Sequence, residues 1–408
     1  MKNQTRRFGV DCMLEFLFKA VSHFLTTLIA SLVSLLKVLV RGHFGVKLPA
    51  PQRPICSILG NGPSLTESLR EHTDFLKTTE TVAVNNIASS SAYAVIQPQN
   101  YVLLDPAFFL YHPQHKGDRD DIRRTLESIL TQTTWPMSLY VPHQARRSYL
   151  IGQLREQNSL VTPVYFNYTV VRGFRWLRHW LYRTGLGMPQ SENVLVASLC
   201  LMLNRRFETI YLFGADHSWH EEIRLGSANE LLMRQPHFYD NPQDVPLIPV
   251  YDVVKNEYSR MSSQFLALHK AFLGYEVLRD YAQSLGVQVF NASAKSYVDA
   301  FPRVKLRTNT NQHALSDQPI HTHYGRHRLI RQEVCRNGVP AFSQHKTSRY
   351  LLARRTQTVR DGAALPTVSV QIHPVFHWRC ARWRTDEAGL RGNRHYCACS
   401  RAEASPGR

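Results

Sequence analysis

From Pro51 to about Lys305, short apolar runs of β-prone residues alternate with longer stretches of helical period. This alternation restricts the fold more than any other feature of the 408-residue sequence. The runs are ICSIL, TVAV, YVLL, SLYV, PVYF, TIYLF and VQVF, and between them lie DDIRRTLESIL, RRSYLIGQLRE, VLVASLCLML and FLALHKAFLGYEVLRDYAQSLG. A strand that is apolar on both faces needs cover on both, and crossover helices supply it while leaving successive strands parallel. The expectation is an α/β fold: a doubly wound, mostly parallel, Rossmann-like sheet. Ligands of such sheets sit at the carboxyl ends of the strands, so polar residues there are the candidates for chemistry.

Those ends are consistently polar. The first run leads into Gly60, Asn61, Gly62, Pro63 and Ser64, a turn that lets something approach closely, either another backbone or a ligand. If the next segment is a helix, its N-terminal amides suit a phosphate, and Ser64 and Thr66 could cap the helix or donate to phosphate oxygens. The turn is neither G-x-G-x-x-G nor G-x-x-x-x-G-K-[ST], so neither a dinucleotide fingerprint nor a P-loop is indicated. The second run ends in Asn85 and Asn86, the third in Asp105, directed by Pro106, and the fifth in Asn167. The sixth ends in Gly214, Asp216, His217, Ser218 and Trp219, with His220, Glu221 and Glu222 following. Asn and Asp are ordinary turn formers. Several of them at the same end of one sheet would converge on one crevice. The order of His217, His220 and the carboxylates matches no zinc motif, so no metal site is assigned. A histidine base oriented by a carboxylate fits these residues and also His237, Tyr239 and Asp240 downstream.

Both ends differ from this body. Residues 13–41 are apolar with a polar stripe of Lys19, His23, Thr27, Ser31, Ser34, Lys37 and Arg41 opposite Leu25, Leu28, Ile29, Leu32, Leu36 and Leu39. An amphipathic helix lying on an anionic membrane surface is expected, ahead of a single span or a helix docked on the protein itself. Of the net charge of +18, +11 falls after Leu306, where 17 Arg and Lys face 6 Asp and Glu. The body is therefore only mildly basic, and no nucleic-acid partner is expected. The division reads as a membrane-associating helix (1–45), a catalytic domain (46–305) and a basic tail of low order (306–408). Cys12, Cys56 and Cys200 read as isolated buried thiols of a reducing compartment. Cys397 and Cys399, with Cys380 and His395 nearby, lack a recognisable zinc spacing.

The series ILGNGPSL, VNN, YVLLDPAFF, IYLFGADHSW, HFYD and SYVDAFPR resembles a bacterial and archaeal family. That family is related to the pterin-diphosphokinase-like domain and the flagellin-modifying motility accessory factors. GNGPSL with the later Y-L-x-G-x-D also resembles the sialyltransferases of Campylobacter-type surface glycans. The resemblance covers residues 54–303. It implies that Gly60, Asn61, Gly62, Pro63 and Ser64 hold the phosphate and ribose of a CMP-activated sugar, with Asn85 or Asn86 facing the donor. The enzymes it resembles hold the leaving phosphate with tyrosines just after the G-x-D strand. Here Ser218 and Trp219 occupy that region, with Tyr239 as a possible substitute. Their later histidine base corresponds to His237, or secondarily His217. The implied activity is a glycosyltransferase taking a nucleotide-sugar donor and a glycan or lipid-linked acceptor, with no required cofactor, at the cytoplasmic face of a bacterial inner membrane. Two alternatives remain open: transfer of diphosphate from ATP to a pterin, with Mg²⁺ on Asp105 and Asp216, and a non-catalytic assembly factor.

Overall fold

The computed structural model describes residues 2–306 except 115–118, 242 and 253–256, and the side chains of residues 2–12 and 252 fall outside that description. The tail expected to be of low order, with its cysteine cluster, lies outside the described residues, as does the Cys12 thiol.

The chain starts with α1 (Lys2–Arg41) and enters the sheet at β1 (Ile55–Leu59). It continues through α2 (Leu65–Thr78), β2 (Glu80–Val84), α3 (Ala92–Ile96), β3 (Asn100–Val102), α4 (Ala107–Leu110), α5 (Asp120–Thr131) and β4 (Met137–Pro142). Next come α6 (Tyr149–Gln157), β5 (Val161–Phe166), α7 (Arg175–Arg183), α8 (Val194–Arg205) and β6 (Thr209–Phe213). Three short strands, β7 (Ile223–Leu225), β8 (Leu231–Met233) and β9 (Ile248–Pro249), form a small antiparallel sheet. β10 (Tyr251–Asp252) and β11 (Glu257–Tyr258) make a separate antiparallel pair, and α9 (Met261–Leu285) leads to β12 (Gln288–Asn291).

The main sheet has the order β12-β6-β1-β2-β3-β4-β5, and every neighbouring pair is parallel. Each of the seven apolar runs contributes one strand. The reason is burial: Cys56, Ile58 and Leu59 of β1, Val82 and Ala83 of β2, and Ile210 and Leu212 of β6 are wholly inaccessible, so the central strands are covered on both faces. Cys56 and Cys200 are free and buried, and burial pushes both thiols up, Cys200 to about 12. Glu80 on β2 is buried with a charge. It pairs with Arg205 at the end of α8 (2.9 Å), and Asn100 bonds both partners, an arrangement that satisfies two ions removed from water.

The helix at the N-terminus is present with serines and leucines on opposite sides, and part of its polar stripe is docked on the protein. Ser31, Ser34 and Val38 are its buried residues. Ser34 Oγ donates to Arg172 O (2.9 Å) and accepts from Arg172 N–H (2.8 Å), and Ser31 Oγ accepts from Phe174 N–H (3.0 Å). Gly173 has a φ of +109°, and a Cβ there would lie 2.1 Å from Ser31 Oγ, so only glycine permits this contact. The small polar residues thus seal α1 to the protein, and the leucine side faces outward.

Candidate functional site

The chain winds from β1 through β2, β3, β4 and β5 in one direction, then returns through α7 and α8 to place β6 on the other side of β1. The point of reversal lies between β1 and β6, where the crevice beyond the strand ends opens. The turns that leave these two strands pack directly on each other. Gly60 N–H donates to Phe213 O (2.7 Å) and Gly62 N–H to Gly214 O (2.9 Å). A Cβ at Gly60 would lie 2.5 Å from Gly214 O, and one at Gly214 would lie 2.4 Å from Gly60 O. The close approach that the glycines allow is therefore, first of all, that of another stretch of backbone.

The anion at the start of α2 is also supplied from within. Asp216 accepts Ser64 N–H at Oδ2 (2.9 Å) and Ser64 Oγ–H at Oδ1 (2.5 Å). It occupies the place a phosphate was expected to take, because a carboxylate suits the unpaired amides and positive end of a helix. Burial raises the Asp216 pKa, and the two bonds from Ser64 oppose that shift. Ser64 is accordingly committed to Asp216, and Asp216 acts as the cap of α2 instead of a free catalytic acid.

Above these turns lies a cleft of about 180 Å³. From the expected set it brings together Asn61, Gly62, Pro63, Asn85, Gly214, Asp216, His217, Ser218 and His237. Its wall also contains Trp219, Met233 and Leu268, and the last two belong to an apolar cluster with Ile223, Leu231 and Val250. Among the described residues, ten buried side-chain nitrogen or oxygen atoms have no partner. Five of them line this cleft: Asn61 Oδ1, Asn85 Oδ1, Glu192 Oε2, Asn193 Nδ2 and Arg234 Nε. Unsatisfied buried polar atoms are costly, and their concentration in one crevice marks a surface made to be completed by a polar ligand. Arg234 brings the permanent positive charge of this lining.

His237 stands at the cleft beside the glycine turn. Phe238 N–H donates to Asn61 O (3.1 Å) and Thr66 Oγ–H to Phe238 O (3.0 Å), which fixes the loop to the start of α2. Asp240 Oδ2 accepts the His237 backbone N–H (2.9 Å) and lies 3.0 Å from Nδ1. Partial burial works against the Asp240 charge, but the bonds from His237 leave its carboxyl below the ordinary range. An ionised carboxylate only accepts, so Nδ1 is the donor in this contact and Asp240 fixes the orientation of the ring.

Several expected residues have other tasks. His217 lines the cleft but is buried in contact with Trp219, Phe272 and Tyr275, and Tyr275 Oη lies 2.9 Å from its Nε2. Burial lowers its pKa to about 3, so it is neutral and poorly basic. Tyr239 does not replace the missing phosphate-binding tyrosines. Its ring stacks on His237 (5.2 Å, 12°) and its buried hydroxyl bonds the Asn86 side chain. Asn86 in turn donates to Asp121 (2.8 Å) and accepts from Thr125 (3.2 Å). Asp105 binds Ala107 N–H (2.9 Å) and pairs with Arg119 (3.5 Å), which also pairs with Asp121 (2.5 Å). Asn86, Asp105 and Tyr239 thus form a network behind His237, outside the cleft lining. Asn167 is farther away in role: it clamps the segment after α1, bonding His43 through both backbone groups and Gly185 O.

Glu192, Asn193, Arg234 and Gln264 are cleft residues that the strand-end rule passes over. Asn193 had a readable signal, a polar residue immediately before an apolar run, and it does cap α8 by accepting Val196 N–H (3.0 Å). Arg234 follows β8, and no sequence pattern aims it at the sheet. Among the described residues no group of three or more His, Cys, Asp or Glu converges as a metal site. Asp105 and Asp216, the pair assigned to Mg²⁺ in the diphosphokinase alternative, are engaged separately by Arg119 and Ser64.

No family model matches this chain, and no curated protein matches it. Among solved structures, the MAf glycosyltransferase from Magnetospirillum magneticum AMB-1 is similar with 13% identity and a TM-score of 0.37. That similarity covers 67% of this chain and 38% of the other, so the chain spans well under half the length of that structure.

Proposed function

We propose that this chain is a glycosyltransferase-like enzyme that takes a nucleotide-activated sugar, CMP-linked by the motif resemblance, and transfers it to a glycan or lipid-linked hydroxyl. The observation that carries the reading is the cleft at the sheet reversal, whose lining combines five unpartnered polar atoms with a histidine held by a carboxylate. Arg234 suits the donor phosphate, while Asn61, Asn85, Asn193 and Glu192 suit ribose, base or sugar hydroxyls. His237 Nε2 accepts the acceptor's hydroxyl proton as that oxygen bonds to the anomeric carbon. The bond from that carbon to the phosphate oxygen breaks, and its electron pair leaves with the nucleotide. Arg234 then meets the charge that grows on the phosphate, which lowers the barrier more than it favours the bound ground state.

Thermal shift with CMP, CDP, UDP and ATP, each with and without Mg²⁺, tests the reading. Stabilisation by CMP without metal, lost in Arg234→Gln, is the expected result. Stabilisation by ATP only with Mg²⁺ would transfer the case to the diphosphokinase alternative. Nucleotide binding with no sugar transfer or donor hydrolysis would favour the assembly factor.

A further inference from the structure

We infer that the outward side of α1 and the exposed face of α7 together form a surface that rests on an anionic lipid bilayer, with α1 lying in the membrane plane between lipid and protein. Of the 27 large hydrophobic residues exposed among the described residues, 14 belong to α1. Leu25, Ile29, Leu32, Leu36 and Leu39 recur every three or four positions on the side turned away from Ser31, Ser34 and Val38. A contiguous exposed apolar face of this size marks an interaction surface.

Charge selects the occupant. No Asp or Glu occurs from Phe16 to Thr66, a stretch that carries Lys19, Lys37, Arg41, Lys47 and Arg53. The same holds from Gln157 to Ser191, which carries Arg172, Arg175, Arg178 and Arg183. The two stretches meet where Ser31 and Ser34 bond residues 172–174, and Phe24 touches Phe174, whose ring stacks on Trp176. On α7, Trp176 is 70% and Trp180 51% exposed, one helical turn apart, with Arg172 and Arg175 exposed beside them. Apolar residues framed by arginine and interfacial tryptophan suit acyl chains below a negative headgroup layer.

The docking of α1 also decides its orientation. Met13–Arg41 is long and apolar enough to cross a membrane. Ser31 to Val38 are, however, held on the protein, so a crossing segment would be confined to Met13–Ala30, about 27 Å of helix. That segment contains Glu15, Lys19 and His23, which are costly at the bilayer centre. An in-plane helix keeps these groups at the headgroups and all the leucines in lipid.

The test is flotation of the full chain with preformed vesicles of phosphatidylcholine alone or equimolar with phosphatidylglycerol, followed by tryptophan quenching with brominated lipid. Expected are flotation with the anionic vesicles, partitioning reduced roughly thirtyfold by Arg172→Gln with Arg175→Gln, and quenching largely lost in Trp176→Phe/Trp180→Phe. Three results would overturn the inference: no flotation with preformed vesicles, equal flotation with both lipids, or quenching unchanged in the double tryptophan variant. Self-association of the chain that removes flotation would assign the face to a second copy and overturn it equally.

Discussion

Replacing Gly62 by alanine separates the two reasons a glycine can stand at the end of β1. The added Cβ would lie 2.3 Å from Asp216 Oδ1, 2.5 Å from its Cγ and 2.6 Å from Gly214 O. None of these distances is tolerable, so the turn must open and Asp216 must leave Ser64. Two hydrogen bonds to a charged acceptor are lost at about 1.5–3 kcal/mol each, a destabilisation of about 3–6 kcal/mol. At roughly 2 °C or more per kcal/mol for a domain of this size, melting should fall by at least about 6 °C. Gly152→Ala is the control: its Cβ meets nothing within 4 Å in α6, and the helix should gain about 0.5–1 kcal/mol. Thermal and urea unfolding of the two variants without any nucleotide measures both effects. If Gly62→Ala melted with the parent and lost only nucleotide affinity, the glycine would serve the ligand, and the account of one turn seated on the other would be wrong.

Other outcomes follow from the same geometry. His237→Ala should retain the melting behaviour of the parent and lose about 10²–10⁴-fold in kcat, with Asp240→Asn falling between them; full turnover in His237→Ala would remove the base. Acid should destabilise the protein through His217, whose folded pKa of about 3 is below its ordinary 6.5. The stability this gives is present above pH 6.5 and is lost as pH falls, by about 2 kcal/mol at pH 5, and His217→Gln should flatten that slope in pH-dependent urea titrations. Arg205→Met should cost about 3–5 kcal/mol by leaving the Glu80 carboxylate buried without its cation, with nucleotide affinity of the folded protein unchanged. A variant as stable as the parent would show that Asn100 and the backbone N–H groups of Gln52 and Arg53, which also donate to Glu80, suffice for it.

Strand and helix were readable because each is a local pattern. ICSIL, TIYLF and VQVF are apolar on both faces, and a parallel sheet is where such strands are buried. α7 was passed over because RWLRHWLYR has arginines and tryptophans on its outer face, which hides Leu177 and Leu181 beneath. The small sheet β7-β8-β9 was passed over because three strands of two or three residues carry no period. At the site, Asn61, Asn85 and His237 were found through their position at strand ends or in a loop beside them. The same rule misplaced Asn167, since β5 is the edge strand farthest from the reversal. It misplaced Asn86 too, since β2 stops at Val84 and a 3-10 turn over Asn85–Ser89 carries the Asn86 amide to Asp121 and Thr125 of α5.

The amino-acid sequence alone therefore determined the class of fold, the seven strands of the main sheet and the end at which polar residues gather, because hydrophobic period depends only on near neighbours. Tertiary structure decided what those residues do. Asp216 reaches Ser64 only because β6 is laid beside β1 after a return past four other strands. Arg234 enters the cleft only through the fold of β7 and β8, and the serines of α1 meet Arg172 and Phe174 only once the helix is docked. Such pairings join residues more than a hundred positions apart, and no local pattern records which distant group will satisfy a given donor.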